Sequence, residues 1–127
     1  MDFERTIQQV ANETGISEYT LRYYEKIGLM MDIHRAENGH RRYAQDDIEW
    51  INFLKQLKAT GMPLAQIQLF ATLRKQGLGT SKQRREMLEV HREKMIQKIQ
   101  SINKCLDVVE YKIERHRRNE TKVESKN

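Results

Sequence analysis

The chain is short and strongly charged, with 127 residues of which 38% are hydrophobic and 32% are charged. Its mean hydropathy of -0.84 leaves material for one small core and predicts much exposed helix surface. No apolar run approaches the roughly 20 residues of a membrane-spanning helix, and the start MDFERTIQQ lacks the apolar segment of a signal peptide. We therefore expect a cytosolic protein with one small domain and at most one appended element.

The positive charge is unevenly distributed along the chain. The formal net charge is +5, yet residues 1–60 carry eight basic against ten acidic side chains, whereas the remaining 67 residues carry fifteen against eight. A moderate basic excess permits an anionic partner such as nucleic acid without requiring one. Any nucleic-acid contact in the first half must therefore come from a local basic patch.

Two short helices joined by a turn are predicted near the start of the chain. Thr6 and Gln9 form a capping-box pattern, which marks the beginning of the first helix. Gly15 interrupts that helix, and a second one is predicted over residues 18–27, with Gly28 as its C-terminal cap. Two short helices with a glycine in the connecting turn are typical of a helix-turn-helix.

A wing and two further helices are predicted next. Asn38 and Gly39 lie between two short extended segments, and this dipeptide favours a type I′ hairpin turn. Helical spacing returns over residues 45–60, and Pro63 suits the first position of another helix that ends before the glycines of residues 77–79. A hairpin that follows a helix-turn-helix predicts a winged helix-turn-helix domain.

The last predicted element is one long helix over about residues 81–117. Apolar residues recur there in heptads, and so narrow a stripe predicts a coiled coil with a second copy of the chain. The predicted seam residues are Leu88, Met95, Ile99, Ile102, Leu106, Val109 and Ile113. The fold class is therefore mainly α, with a winged helix-turn-helix domain expected over residues 5–75, a dimerisation helix over residues 80–117 and a disordered tail over residues 118–127.

Candidate DNA contacts lie on the second helix and on the wing. Phosphate oxygens and base edges in a major groove are recognised by guanidinium, ammonium and phenol groups. The second helix offers such groups at Arg22, Tyr23, Tyr24 and Lys26, and the wing offers them at Arg35, Arg41 and Arg42. The alternative is a solvated helix with its tyrosines in the core and an ordinary polar loop.

Catalytic and metal-binding signatures are absent from the sequence. There is no HExxH, P-loop, GxSxG or GxGxxG motif, so no cofactor is expected. His34 and His40 have no further ligands at motif spacing, which argues against a metal site. Cys105 is the single cysteine, so it cannot form an intrachain disulfide. Its position beside the predicted seam favours ordinary packing, and a redox role stays open.

Several motifs in a fixed order resemble the MerR family of bacterial transcription regulators. They are TIQQVANETGISEYTLRYYEKIGLM, the wing sequence ENGHRRY and IEWINFLKQLKATGMPLAQI, which together cover about residues 5–75. The long helix follows where members of that family carry their dimerisation helix. The combination of RYYE, GL, GxRxY and GMPLxxI is specific, whereas a helix-turn-helix alone is weak support.

The resemblance implies a homodimer, joined by an antiparallel coiled coil, on a pseudo-palindromic promoter operator. Similar regulators bind a spacer that is too long between the two elements read by RNA polymerase, and activate by bending and untwisting it. By resemblance, the DNA contacts are Arg22, Tyr23, Tyr24, Arg41 and Lys58. Chemistry adds Ser17, Thr20, Lys26, Arg35 and Arg42.

Departures from the family pattern concern the signal that is sensed. Metal-responsive relatives carry cysteines near the ends of the dimerisation helix, and this chain has no cysteine at either position. Small aldehyde- or electrophile-responsive relatives carry a cysteine in the third helix, where this chain has Gln56. The effector is therefore an unknown small molecule or none. Ala44 stands where Ser or Thr often begins the third helix. A rival hypothesis is a protein-interaction adaptor whose winged domain does not bind DNA.

Overall fold

A computed structural model describes residues 4–126. The chain forms two compact units, and the boundary between them along the sequence falls between Leu88 and Glu89. The first unit contains all of the shorter elements and the start of the long helix. In chain order the elements are α1 (Ile7–Thr14), α2 (Glu18–Lys26), β1 (His34–Arg35), β2 (Arg41–Arg42), α3 (Gln45–Ala59), α4 (Leu64–Gln76), a 3-10 turn (Leu78–Thr80) and α5 (Ser81–Lys126). The mainly helical class and the small wing predicted from the sequence are confirmed.

Helices α1 and α2 form the helix-turn-helix, and local hydrogen bonds fix both of their starts. The Thr6 side chain accepts the Gln9 N–H at 3.2 Å while the Gln9 side chain accepts the Thr6 N–H at 2.8 Å, so the predicted capping box is formed. Gly15 ends α1 with a left-handed φ of 74°. Ser17 then caps α2 by accepting the Thr20 N–H at 3.1 Å.

The chain leaves α2 through a Schellman turn that anchors the helix to the core. The Leu29 N–H donates to the Tyr24 carbonyl at 2.9 Å, and Gly28, with a φ of 81°, donates to the Glu25 carbonyl at 3.2 Å. Leu29 is buried, and its carbonyl accepts the Trp50 indole N–H at 2.7 Å. The end of α2 is therefore fixed against α3.

The core lies between the helix-turn-helix and the helices that follow the wing. Leu21 of α2, Ile51 and Leu54 of α3 and Ile67 of α4 are almost completely buried within it. The Trp50 ring stacks on Phe70, with centroids 5.8 Å apart and planes inclined by 8°. This packing holds α2 with one face inward, so its opposite face is available to a ligand.

The wing differs from the predicted type I′ turn. The Ala36 N–H donates to the His40 carbonyl and the Gly39 N–H donates to the Ala36 carbonyl, each at 2.9 Å. Gly39 has a φ of 82°, whereas Asn38 does not adopt a positive φ. The turn is therefore a longer loop that ends in one left-handed glycine. The Asn38 side chain explains the difference because its Oδ1 accepts the His40 N–H at 3.0 Å, forming an Asx turn.

Helix α5 is longer than the sequence pattern predicts. It runs to Lys126, so the disordered tail predicted over residues 118–127 is wrong as far as Lys126, and residue 127 lies outside the described residues. No glycine or proline follows Gly79, so nothing in this segment breaks a helix. An ion pair between Glu114 and Arg118, one turn apart, supports it locally.

One predicted seam residue belongs to the first unit. Leu88 packs against the core there together with Met87, so the first turns of α5 help to complete that core. Leu88 is therefore partly covered within its own chain, and its place in the dimer seam stays a prediction. The heptad pattern could not show this, because an apolar residue at a heptad position is also suited to packing within its own chain.

Candidate nucleic-acid interface

The exposed face of α2 carries four side chains suited to a DNA groove. Tyr19, Arg22, Tyr23 and Lys26 follow the spacing i, i+3, i+4 and i+7, which places them on one side of a helix. Tyr19 is 78% exposed and Tyr23 is 43% exposed. Tyr19 is not among the residues predicted from the sequence, although its spacing from Arg22 and Tyr23 places it on the same helix face.

Tyr24 does not belong to that face. It is 4% exposed and packs into the core, so the prediction that it faces a groove is wrong, because the i+1 neighbour of an exposed helical residue can point inward. Its hydroxyl accepts a hydrogen bond from the Lys58 Nζ at 3.3 Å, and the same ammonium lies 4.9 Å from the ring centroid. Tyr24 therefore positions Lys58, which is itself exposed at the end of α3.

Ser17 and Thr20 lie together at the start of α2. Their hydroxyl oxygens are 2.9 Å apart, and Ser17 also accepts the Thr20 N–H. Ser17 is exposed while Thr20 is half-buried. Both residues therefore form the N-terminus of the helix, whose partial positive charge favours an anion such as phosphate.

The wing arginines are joined to α2 by one carboxylate. Glu25 pairs through Oε1 with Arg35 of β1 at 3.3 Å and through Oε2 with the Nε of Arg41 of β2. Arg35 also donates to the Gly39 carbonyl at 3.1 Å. Arg42 is half-buried, and its Nη1 lies 3.4 Å from the Arg41 carbonyl. The predicted arginine cluster thus exists, and two of its three members are paired.

An open groove of about 450 Å³ joins the helix-turn-helix to the wing. Three arginines and one glutamate contribute to its lining, which makes its charge positive. The lining residues are Thr6, Ile7, Gln8, Glu18, Arg22, Gly39, His40, Arg41 and Arg42. The Arg22 guanidinium lies 3.4 Å from the carboxylate of Glu18, one helical turn earlier in α2. A positive concavity beside an exposed helix face suits a phosphate backbone whose groove is entered by that helix.

Two groups near the wing have shifted pKa values, and both shifts arise from burial. Burial raises the pKa of the Tyr43 phenol, and the Arg41 charge opposes this more weakly, so the phenol is neutral at physiological pH. Its hydroxyl has no hydrogen-bond partner among the described residues. Burial also raises the pKa of Asp47, against the effect of the hydrogen bond that it accepts from the Ala44 N–H at 2.9 Å. Asp47 therefore ties the start of α3 to the residue before it, and Tyr43 is buried in the core directly after β2.

Within residues 4–126 the structure contains neither a metal-binding cluster nor a helix suited to a membrane. No group of three His, Cys, Asp or Glu side chains in this range is arranged to hold a metal ion. His34 instead lies 3.0 Å from the Glu4 carboxylate. Cys105 is exposed on α5. Over the same residues no helix combines the length and apolarity needed to cross a membrane.

The fold and the groove define a winged helix-turn-helix domain, and comparison with known proteins identifies its family. The sequence pattern of the "MerR HTH family regulatory protein" family matches residues 5–73, and that of "MerR, DNA binding" matches residues 48–110. An HTH-type transcriptional regulator of Haemophilus influenzae is 37% identical over 108 residues, which is 85% of this chain and 80% of that protein. The regulator AdhR of Bacillus subtilis is 35% identical over 91 residues, covering 72% and 65% respectively.

Solved structures agree with these sequence relationships. A MerR family regulator from Listeria monocytogenes has a TM-score of 0.81 at 32% identity, with 86% of this chain and 83% of that chain covered. HiNmlR, described as a MerR family regulator lacking the sensor domain and bound to promoter DNA, has a TM-score of 0.80 at 36% identity, with 89% and 88% covered. The chain belongs to the MerR family and is a DNA-binding transcriptional regulator of that type. The adaptor hypothesis is not favoured.

Proposed function

We propose that two copies of this chain pair through α5 and bind a pseudo-palindromic promoter operator, one half-site for each copy. The observation that carries this proposal is the exposed face of Tyr19, Arg22, Tyr23 and Lys26 beside a positively charged groove. A helix that presents such a face enters a major groove, while the wing contacts the adjoining backbone. HiNmlR, which resembles the chain over most of its length, is bound to promoter DNA in its solved structure.

The apolar side of α5 supports the pairing. Five predicted seam residues are 47 to 66% exposed in the single chain, namely Ile99, Ile102, Leu106, Val109 and Ile113. A heptad stripe of this kind is stabilised when a second helix covers it. Met95 and Leu88, the other two predicted seam residues, are half-buried. We take the antiparallel direction of the coiled coil from the family resemblance, because the heptads do not determine it.

Each remaining candidate residue receives a role from its position. Tyr19, Arg22, Tyr23 and Lys26 contact base edges and phosphates in the major groove. Ser17 and Thr20 place the N-terminus of α2 against a phosphate, and Lys58, held by Tyr24, contacts the backbone from α3. The wing arginines Arg35, Arg41 and Arg42 contact the backbone, and Arg41 and Arg42 do so from the groove lining.

Regulation follows from coupling two such domains through one rigid dimer. If the spacing of the paired domains does not match straight DNA, phosphate contacts at both half-sites bend and untwist the spacer between them. That distortion changes the geometry in which RNA polymerase contacts its two promoter elements. A small-molecule effector could favour either the dimer that distorts the DNA or the dimer that does not. The protein acts in the cytosol, where promoter DNA is available to it.

Selection of bound duplexes from a random 30-base-pair pool tests this function. We expect recovered sequences to contain an inverted repeat whose half-sites are separated by about one helical turn or a multiple of it, because a symmetric dimer reads two successive grooves. The selection is run on the full chain at about 0.15 M salt, where non-specific binding is weakened. Recovery of unrelated sequences without an inverted repeat would contradict the proposal.

A further inference from the structure

Glu25 occupies an unusual place for an acidic residue in a DNA-binding surface. It lies in the last turns of α2, on the helix that we assign to the major groove. Its two carboxylate oxygens are divided between the two strands of the wing, with Oε1 paired to Arg35 and Oε2 paired to Arg41. One side chain therefore connects the recognition helix to both strands of the hairpin.

The three residues form a cluster whose charge is partly neutralised. Arg41 is 22% exposed and Glu25 is 25% exposed as side chains, so their pair is shielded from water on most sides. The Arg35 pair is more open, at 47% exposure of the arginine. Arg41 also lines the positive groove, where a phosphate would compete with Glu25 for its guanidinium.

We propose that Glu25 is a specificity-determining positioning residue, which acts as an internal competitor of DNA phosphate for Arg35 and Arg41 and thereby suppresses binding to DNA that lacks the operator sequence. The inference rests on the proposed DNA-binding function. It concerns a residue that contacts no base itself and acts through the two arginines.

The physical basis is the difference between specific and non-specific binding. Binding to random DNA depends almost entirely on neutralised phosphates, so a carboxylate that occupies two guanidinium groups removes much of what such DNA can gain. At the operator, base contacts from α2 fix the register of the duplex. The phosphates then approach Arg35 and Arg41 in one geometry. The DNA contacts of α2 and of the wing together compensate for the lost ion pairs with Glu25.

Glu25→Gln tests the inference because it removes the charge while keeping the shape and a hydrogen-bond acceptor. Binding of the full chain is measured by fluorescence anisotropy to a duplex recovered from the random pool and to a scrambled duplex of the same composition, each over about 50 to 300 mM KCl. For the scrambled duplex we expect the variant to bind about tenfold more tightly at 100 mM and its salt slope to steepen by about one to two, as additional arginine contacts release counterions. For the recovered duplex we expect a change of less than about threefold.

Two matched variants separate the effect from bulk charge and from simple loss of structure. Glu37→Gln removes one negative charge from the exposed tip of the same hairpin, and it should leave the ratio of the two affinities near that of the unchanged chain. Glu25→Asp retains the charge, and its salt slope on the scrambled duplex should be close to that of the unchanged chain. Circular dichroism of each variant establishes that the helices are retained.

Each outcome either supports or overturns the inference. Weaker binding of Glu25→Gln to both duplexes, without a steeper salt slope, would show that Glu25 only ties the wing to α2. An equal gain for Glu37→Gln would show that net charge alone is responsible. If the unchanged chain binds the recovered and scrambled duplexes equally, the proposed function itself fails, and this result is distinct from either of the others.

Discussion

The two compact units bury their apolar residues in different ways. In the first unit the core residues Ile51 and Leu54 are completely buried by neighbouring helices. In the second unit, from Glu89 onward, apolar residues such as Ile102 remain largely exposed on a single helix. Tertiary packing within one chain therefore stabilises the first unit, whereas the second needs a partner to cover its stripe.

The largest expected effect comes from a substitution that prevents α5 from pairing with a second copy. Ile102→Asp should dissociate the dimer, because each copy loses about 1.5 to 3 kcal/mol of apolar burial and also places an unpaired carboxylate in the seam. Sedimentation velocity at micromolar concentration measures the change. Gln97→Asp, at an exposed position away from the predicted seam, is the control and should leave the dimer intact. A dimeric Ile102→Asp protein would contradict the heptad register.

A change in the core of the first unit should destabilise folding rather than assembly. Trp50→Ala removes the stack on Phe70 and the hydrogen bond to the Leu29 carbonyl, and should lower the free energy of unfolding by about 3 to 5 kcal/mol. Urea titration followed by circular dichroism, at one fixed protein concentration, measures this loss. Trp50→Phe keeps an aromatic ring and should cost less. Equal stability of Trp50→Ala and the unchanged chain would contradict the assigned core.

A substitution on the exposed face of α2 should weaken DNA binding, whereas a matched substitution in the second unit should not. Arg22→Ala should weaken binding to a selected operator by about 1 to 3 kcal/mol, because a base or phosphate contact is lost. Arg115→Ala, on the exposed part of α5, removes the same charge from the other unit and is the control. Fluorescence anisotropy at several salt concentrations compares them. If both variants lose affinity equally, DNA binding depends on total charge and not on the α2 face.

The smallest expected effect is a gain of stability in the first unit. Ala44 precedes α3 with an extended backbone and offers no side-chain cap, while the Asp47 carboxylate already accepts its N–H. Ala44→Ser supplies the missing acceptor for the Asp47 N–H and should stabilise the fold by about 1 kcal/mol. Urea titration measures the difference. Ala44→Val adds bulk without an acceptor and should give no gain, so equal gains would contradict the capping explanation.

Local signals allowed much of the first unit to be predicted. The Thr6 capping box, the breaks at Gly15 and Gly28 and the amphipathic spacing of α3 depend on residues close in sequence, and the structure confirms them. The structure confirms the position of the hairpin but not the predicted turn type, because the Asn38 side chain accepts a hydrogen bond that the Asn-Gly pattern does not reveal.

Interactions between distant elements were not predicted. Tyr24 is separated from Lys58 by 34 positions, and nothing in the run RYYE shows which tyrosine is buried against α3. The pairing of Glu25 with Arg41 likewise required the wing to be placed against α2. Tyr19 is exposed on the same face of α2 as Arg22 and Tyr23, and it is not among the residues predicted from the sequence.

The order of the elements, the winged helix-turn-helix class and the family can be predicted from local sequence patterns, because helix caps, turn residues and hydrophobic spacing act over a few positions. The packing of the folded chain, in contrast, is needed to tell which basic and aromatic side chains face outward and which are paired within the chain. Burial and ion pairing depend on contacts between segments far apart in sequence, as Leu88 and Glu25 show. Periodicity along one segment carries no information about such contacts.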